Sequence, residues 1–330
     1  MARKANLGRL SDVDIRLLRV FRSVVACGGL SAAELELNIG RSTISRHLTD
    51  LELRLGVRLC DRGPAGFALT TEGERVLDAS SRLLSAINSF QSDIDEVHRR
   101  LTGHISIALF DKTVTNPEAK LPQAISQFDR IAPKVTIEIH SEPVNAIETG
   151  VFNGRFHLGI IPTHRQSSSM SYTPLYSEQM FLYCGGDHPL AKQGDRQISR
   201  QEIRKQKYAG IGFQSPNMMF SHRLKLRRSA DVYDEEALAA LILSGRYLGF
   251  LPDHYAERFV KQGAMCCLRP DAYSYKSDHM AIVRQSPKPS RMVFEFLNCL
   301  RNAHQVPEED PVQVRDLAKV APTPAAPRSG

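Results

Sequence analysis

The sequence has no apolar run near the roughly 18 to 20 residues that a helix needs to cross a bilayer, so no membrane span is expected. Met1-Ala2-Arg3-Lys4 is basic, but no apolar segment of about 7–15 residues follows it. A secretory signal is therefore not expected, and the chain reads as cytoplasmic with no membrane partner. The six cysteines (Cys27, Cys60, Cys184, Cys266, Cys267 and Cys299) form no C-x-x-C pair and no zinc-like spacing with histidine. This argues for a reducing compartment with no metal or other cofactor. Vicinal Cys266-Cys267 reads as two buried thiols near a strand rather than a redox switch. P-loop, G-x-S-x-G and H-E-x-x-H motifs are also missing. His104, His140, His157, His188 and His279 are scattered, as structural or surface histidines are. An enzyme is not expected.

What is present is a chain of 330 residues, long enough for two or three compact units. Its 42% hydrophobic content is that of a globular protein with a sizeable core. The formal charge of +7 is compatible with a polyanionic partner but does not require one. Three textures succeed one another. Short helical patterns and one hairpin signal fill residues 1–73, and a heptad-like segment occupies 74–102. Alternating β-rich and helical stretches then fill 103–304. The segment 305–330 is rich in Pro and Ala with little apolar periodicity, and is expected to be disordered.

In the first region, Leu17, Leu18, Phe21, Val24 and Val25 recur at helical spacing, and Cys27-Gly28-Gly29 ends that helix. Ser31 is placed to cap a second helix, Ala32 to Leu37, and Asn38-Ile39-Gly40 forms a turn. A third helix runs from Arg41 to about Leu55, with Ile44, Leu48, Leu51 and Leu55 on one face. Its other face carries Arg41, Ser42, Thr43, Ser45, Arg46 and Thr49. Short hydroxyl side chains let a helix seat deeply in a major groove, and an arginine can donate two hydrogen bonds to guanine. Alone, such a face also suits a solvated helix; after a helix and turn, it reads as a DNA-reading helix. Short strands on either side of Gly63-Pro64-Ala65-Gly66 make a wing, with Arg58 and Arg62 beside the phosphate backbone. Thr71 and Glu74 have capping-box spacing and mark the next helix start.

The ordered set Gly29-Leu30-Ser31-Ala32-Ala33, Ser45-Arg46, Leu51-Glu52, Leu55-Gly56-Val57-Arg58-Leu59, Asp61-Arg62 and Leu69-Thr70-Thr71-Glu72-Gly73 resembles the winged helix-turn-helix of LysR-type transcriptional regulators. It covers nearly all of residues 11 to 75. Where the family often has Gln followed by Pro or Ser, this chain has Arg41-Ser42, which implies a different base preference. The resemblance implies double-stranded promoter DNA as a partner, a homo-oligomer (dimer or tetramer), and RNA polymerase as a further partner.

Val76, Leu83, Ile87, Phe90, Ile94, Val97 and Leu101 follow alternating three- and four-residue steps, with Ser80 in one apolar slot. Such a stripe needs a cover. Packing against the chain's own domain would provide one. The resemblance favours pairing of two linker helices, with Leu83, Ile87, Phe90, Ile94 and Val97 in the dimer interface.

From Gly103, strand and helix alternate: Gly103–Phe110, Ala124–Ile131, Val135–Ile139, a helix with Ile147 and Val151, then Phe156–Ile161. The expected fold class is an α+β two-part chain: an N-terminal winged helix-turn-helix, a long linker helix and a C-terminal α/β periplasmic-binding-protein-like effector domain. Subdomain I takes about 103–163 and 266–304, subdomain II about 164–265, and a cleft lies between them. Ligands in such sheets bind beyond the carboxyl ends of strands. That places Asp111 to Asn116 at the site. The family resemblance puts a ligand-binding hydroxyl at Thr113, with Thr115 as an alternative. It makes Asn145 a candidate beside the departing Val144, and adds Thr163, Phe213 and Gln214. Thr113 and Thr163 are equally placed to be caps or turn residues. Lys112 offers a charge for an anionic ligand, although Asp111 stands ready to neutralise it. Two binding proteins are rivals to an effector-responsive regulator. A secreted solute-binding protein would need a signal and no DNA reader. A nucleoid-type binder would show weak sequence preference and no effector.

Overall fold

The computed structural model describes residues 8, 10–63, 66–97, 101–162, 166–193, 198–212 and 216–306. They divide into two compact units, one made of residues up to Ile94 together with Asn153–Arg155, the other of the remainder.

The first unit is built on three helices: α1 Asp12–Ala26, α2 Leu30–Leu37 and α3 Arg41–Leu55. Their apolar stripes meet where the spacing places them. Leu17, Phe21 and Val24 of α1 pack on Ala33 of α2 and on Ile44, Leu48 and Leu51 of α3. Ser11 caps α1 by giving its backbone and hydroxyl hydrogens to Asp14, at 2.8 and 2.6 Å. Asp14 is itself buried and forms an ion pair with Arg54, which ties the start of α1 to the end of α3. The Arg54 hydrogen bond, and then that of Ser11, hold the Asp14 carboxyl well below the usual range.

Two expected caps move. The second helix begins at Leu30 rather than Ala32, with Gly29 at the N-cap at φ 150°. Ser31 therefore lies in the first turn, exposed, and does not cap. Strands β1 Cys60–Gly63 and β2 Gly66–Leu69 pair antiparallel as the wing. The next helix, α4, spans Thr71–Val97, so Thr71 is its first residue. Its cap is Thr70, whose hydroxyl accepts from Gly73 N–H at 2.9 Å and donates to the Arg58 carbonyl at 2.7 Å. Position 73 admits no side chain, because a Cβ there would lie 1.9 Å from the Leu59 carbonyl oxygen.

The heptad stripe is divided. Val76, Leu77 and Leu83 pack on the core of their own unit. Ser80 is buried in its slot and returns its hydroxyl hydrogen to the Leu77 carbonyl at 2.8 Å. Further on, Phe90 is 63% exposed and Ile94 is 45% exposed. The side chain of Val97 lies outside the described residues. Leu101 does not continue the stripe, since it packs on the core of the second unit.

The second unit contains a seven-stranded mixed sheet. Strands β3 Gly103–Leu109, β4 Val135–Ser141 and β5 Leu158–Pro162 run parallel, joined through helices α5 Leu121–Ile131 and α6 Val144–Phe152. Two long strands, β6 Met170–Gly185 and β11 Ser274–Arg284, pair antiparallel along almost their whole lengths. Around the far half of β6 stand β9 Gly249–Pro252 and β10 Met265–Cys267. The remaining elements are α7 Arg200–Lys205, β7 Lys207–Ile211, α8 Pro216–Leu224, β8 Arg227–Val232, α9 Glu235–Leu243, α10 Asp253–Lys261 and α11 Arg291–His304. Strands β7 and β8 form a separate parallel pair.

Two pairs of apolar clusters result, one pair around β3 and β5 and the other around the far half of β6, and β6 contributes to all four. Tyr176 and Ala281 join the first pair, where α11 lies on α5 with Phe128 edge-on to Phe296 at 5.2 Å. Met180 and Tyr275 join the second. Each strand thus passes from one pair to the other within its own length, between Tyr176 and Met180 on β6 and between Tyr275 and Ala281 on β11. Cys266 and Cys267 lie half-buried on β10, and all six cysteines are free thiols. The expected disordered tail falls outside the described residues beyond Val306.

Candidate functional site

Helix α3 carries the first site. With Ile44 and Leu48 fully enclosed, the opposite face leaves Arg41, Ser42, Arg46 and Thr49 exposed, and Thr43 and Ser45 half-exposed. The helix starts abruptly because Asn38 takes a left-handed conformation at φ 50° and Glu34 accepts from the Arg41 N–H. Thr49 returns its hydroxyl hydrogen to the Ser45 carbonyl at 3.0 Å, as a solvent-facing threonine in a helix does. The two wing arginines differ. Arg58 is 67% exposed and pairs loosely with Asp61 at 3.0 Å. Arg62 is 22% exposed, forms an ion pair with Glu52, and donates to the Ser45 carbonyl at 3.2 Å. Glu52 also accepts from the Leu59 N–H at 2.9 Å. Arg62 is thus held as a brace between wing and reading helix, whereas Arg58 stays free of the interior.

The second site lies where β3 ends. Residues 111–116 leave the sheet between the two pairs of clusters, and Lys112 adopts the left-handed conformation at φ 59°. Its ammonium does not stand open for an anion. It pairs with Glu236 at 2.6 Å and Asp111 at 3.1 Å. Burial works against its charge, but these two carboxylates outweigh burial and raise its pKa above the ordinary value. Asp111 also accepts from the Glu235 N–H at 3.1 Å, joining the loop to the start of α9. Thr113 is buried and donates to the Phe110 carbonyl at 2.6 Å, the turn-residue role the sequence had left open. Thr115 lies 3.0 Å from His254 Nδ1 on α10. Asn145, in the first turn of α6, is exposed. Thr163, Phe213 and Gln214 lie outside the described residues.

A buried polar group beneath this loop was not foreseen. Glu178 of β6 is 6% exposed and meets Asn116 Nδ2 and His254 Nε2, both at 3.2 Å, and His279 Nε2 at 3.6 Å. Burial alone would raise the Glu178 carboxyl, but His279 and His254 outweigh it and hold the carboxyl ionised. His279 stacks on Tyr176, with centroids 4.7 Å apart and rings inclined by 8°. Burial pushes its own pKa down. His279 is thus one of the structural kind among the scattered histidines, buried beside an ionised carboxylate. A signal was available in the strand. Tyr176, Glu178 and Met180 share one face in the period-2 pattern of β6, and that face is apolar except at Glu178.

The chain matches two family models. The helix-turn-helix model described as a bacterial regulatory protein of the lysR family covers residues 15–74, and the LysR substrate binding domain covers residues 98–305. The chain belongs to the LysR family of transcriptional regulators. It is a DNA-binding regulator with an effector-binding domain, and not an enzyme. Among LysR-type relatives it is 38% identical over 299 residues to the HTH-type transcriptional activator BauR of Pseudomonas aeruginosa, spanning 91% of this chain and 98% of the relative. It is also 27% identical over 241 residues to the probable HTH-type transcriptional regulator LrrA of Synechococcus elongatus, spanning 73% and 81%. Solved LysR-family structures share the fold. CbnR superposes with a TM-score of 0.61 at 20% identity, covering 88% of this chain and 99% of CbnR. A full-length OxyR variant from Pseudomonas aeruginosa gives 0.57 at 16% identity, covering 92% and 100%. None of the described helices is long and apolar enough to cross a membrane.

Proposed function

We propose that this LysR-type regulator reads promoter DNA with Arg41, Ser42, Thr43, Ser45, Arg46 and Thr49 in the major groove. Ser31 and Arg58 contact phosphates, and Arg62 keeps the wing in place. The observation that carries this reading is the polar face of α3, exposed directly opposite its buried apolar stripe. Two copies pair through the exposed stretch of α4 at Ile87, Phe90 and Ile94, continued by Val97. They present two readers to a palindromic site, as dimers or as tetramers formed from them. In support, a solved structure at 20% identity is full-length CbnR complexed with its target DNA.

A small-molecule effector enters the cleft between the two pairs of clusters, beside Lys112, Thr113 and Thr115, with Asn145, Thr163, Phe213 and Gln214 as further contacts. It shifts the balance between two arrangements of the effector domains. The resulting change in DNA geometry alters contact with RNA polymerase, within the cytoplasm. Binding-site mapping followed by DNase footprinting tests the reading. A palindromic site, protected by wild type and lost in Arg46→Ala, supports it; protection without sequence preference overturns it. A footprint that never changes with any small-molecule extract removes the effector arm.

A further inference from the structure

One carboxyl group of the effector domain has no side-chain partner among the described residues. Glu235, the first residue of α9, is 4% exposed, and its side chain makes no hydrogen bond or ion pair among the described residues. Acidic residues are drawn to the first turn of a helix by the peptide dipoles, but one serving that purpose sits in water. Its neighbour Glu236 does so, with 73% of its side chain exposed. A buried carboxyl left unpaired costs free energy that an apolar residue would avoid.

The surroundings are acidic as well. Glu178, Asp111 and Asp234 act on Glu235 as like charges with Lys112 opposing them, and Lys112 already pairs with Asp111 and Glu236. Nearby, the Tyr176 hydroxyl is enclosed without a hydrogen bond of regular geometry. Burial first, and then Glu178 and Asp111, push the Glu235 carboxyl well above its ordinary value.

We propose that the effector carries an organic ammonium group and that Glu235 is its counter-ion in the cleft. This rests on the cleft being the effector site. An ammonium entering beside Glu235 supplies the missing donor. Any proton the carboxyl holds passes to solvent as it becomes the paired carboxylate, and the new ion pair adds no net charge to the cleft. An anionic effector meets the opposite: three carboxylates, and a lysine already taken.

The test uses the full-length protein and three probes of matched size: n-propylammonium, propionate and propanamide. Titration calorimetry is expected to show heat for propylammonium and at least tenfold weaker affinity in Glu235→Gln. Melting of the ligand-free variant should be unchanged or higher than wild type, which a merely structural glutamate would not allow. Binding of propionate or propanamide alone overturns the cation assignment while leaving the cleft an effector site, and so does propylammonium binding unaltered by Glu235→Gln. Absence of heat from all three probes also overturns it. Failure of effector sensing itself is read separately, from an operator footprint that stays the same with every small-molecule extract.

Discussion

The reader and the effector domain place their polar chemistry in opposite ways. In the reader, polar groups either face water on α3 or brace helix ends, as Asp14–Arg54 and Glu52–Arg62 do. In the effector domain, the groups that matter are enclosed: Glu178, Glu235 and His279 are each less than 7% exposed. A surface built to meet a polyanion works as it stands. Polar groups enclosed in this way give up their hydration, and stability is lost by doing so.

Acid should separate the two regions most strongly. His157 accepts from the Ser106 N–H at 2.9 Å, and burial, then His104 and Arg284, push its pKa down to about 4. The unfolded chain takes up that proton first, near 6.5. This contribution is therefore complete above pH 6.5 and is lost as pH falls through about 4, amounting to about 3 kcal/mol. Calorimetric scans from pH 7.5 to 4 should show the effector-domain transition falling, with a flatter profile in His157→Gln. The reader should resist this range. Asp14, with its lowered carboxyl, gives up its contribution only below the ordinary carboxylate pKa.

Next in size is the brace. Asp14→Ala leaves Arg54 and the cap of α1 without their acceptor and should destabilise the reader by roughly 2 kcal/mol. Thermal unfolding should show only the reader transition move; an equal shift of both would contradict the separation. Arg46→Ala should leave both transitions in place and weaken operator binding by about 1.5 kcal/mol, roughly tenfold. Fluorescence anisotropy on operator and scrambled DNA reads this, and an equal loss on both would reassign Arg46 to phosphate. The smallest effect belongs to Arg58→Ala, which should lower the slope of log affinity against log salt by about one, whatever the sequence.

The same contrast explains what the sequence made legible. Helix α3 is legible to the residue because its apolar stripe and polar face alternate at full helical period over 15 residues. The caps are misread because Ser31 and Thr71 have the right chemistry one or two positions from the residues whose backbone actually turns, Gly29 and Thr70. On the loop after β3 the local partners, Asp111 for Lys112 and a turn bond for Thr113, are readable, whereas Glu236 stands 124 residues from Lys112 and leaves no local trace. Glu178 escapes notice although its strand alternates cleanly. His279 does so because a histidine's burial depends on the strand beside it.

The ribbon formed by β6 and β11 is where the two pairs of clusters are joined, and its register slips by one residue between His279 and Met280. His279 faces Tyr176, while Met280 faces Pro174, so Leu175 is surplus on its strand. A surplus residue interrupts the ladder and increases the right-handed twist locally. The ribbon is therefore most strongly twisted at the Tyr176–His279 stack, which sits beside Glu178.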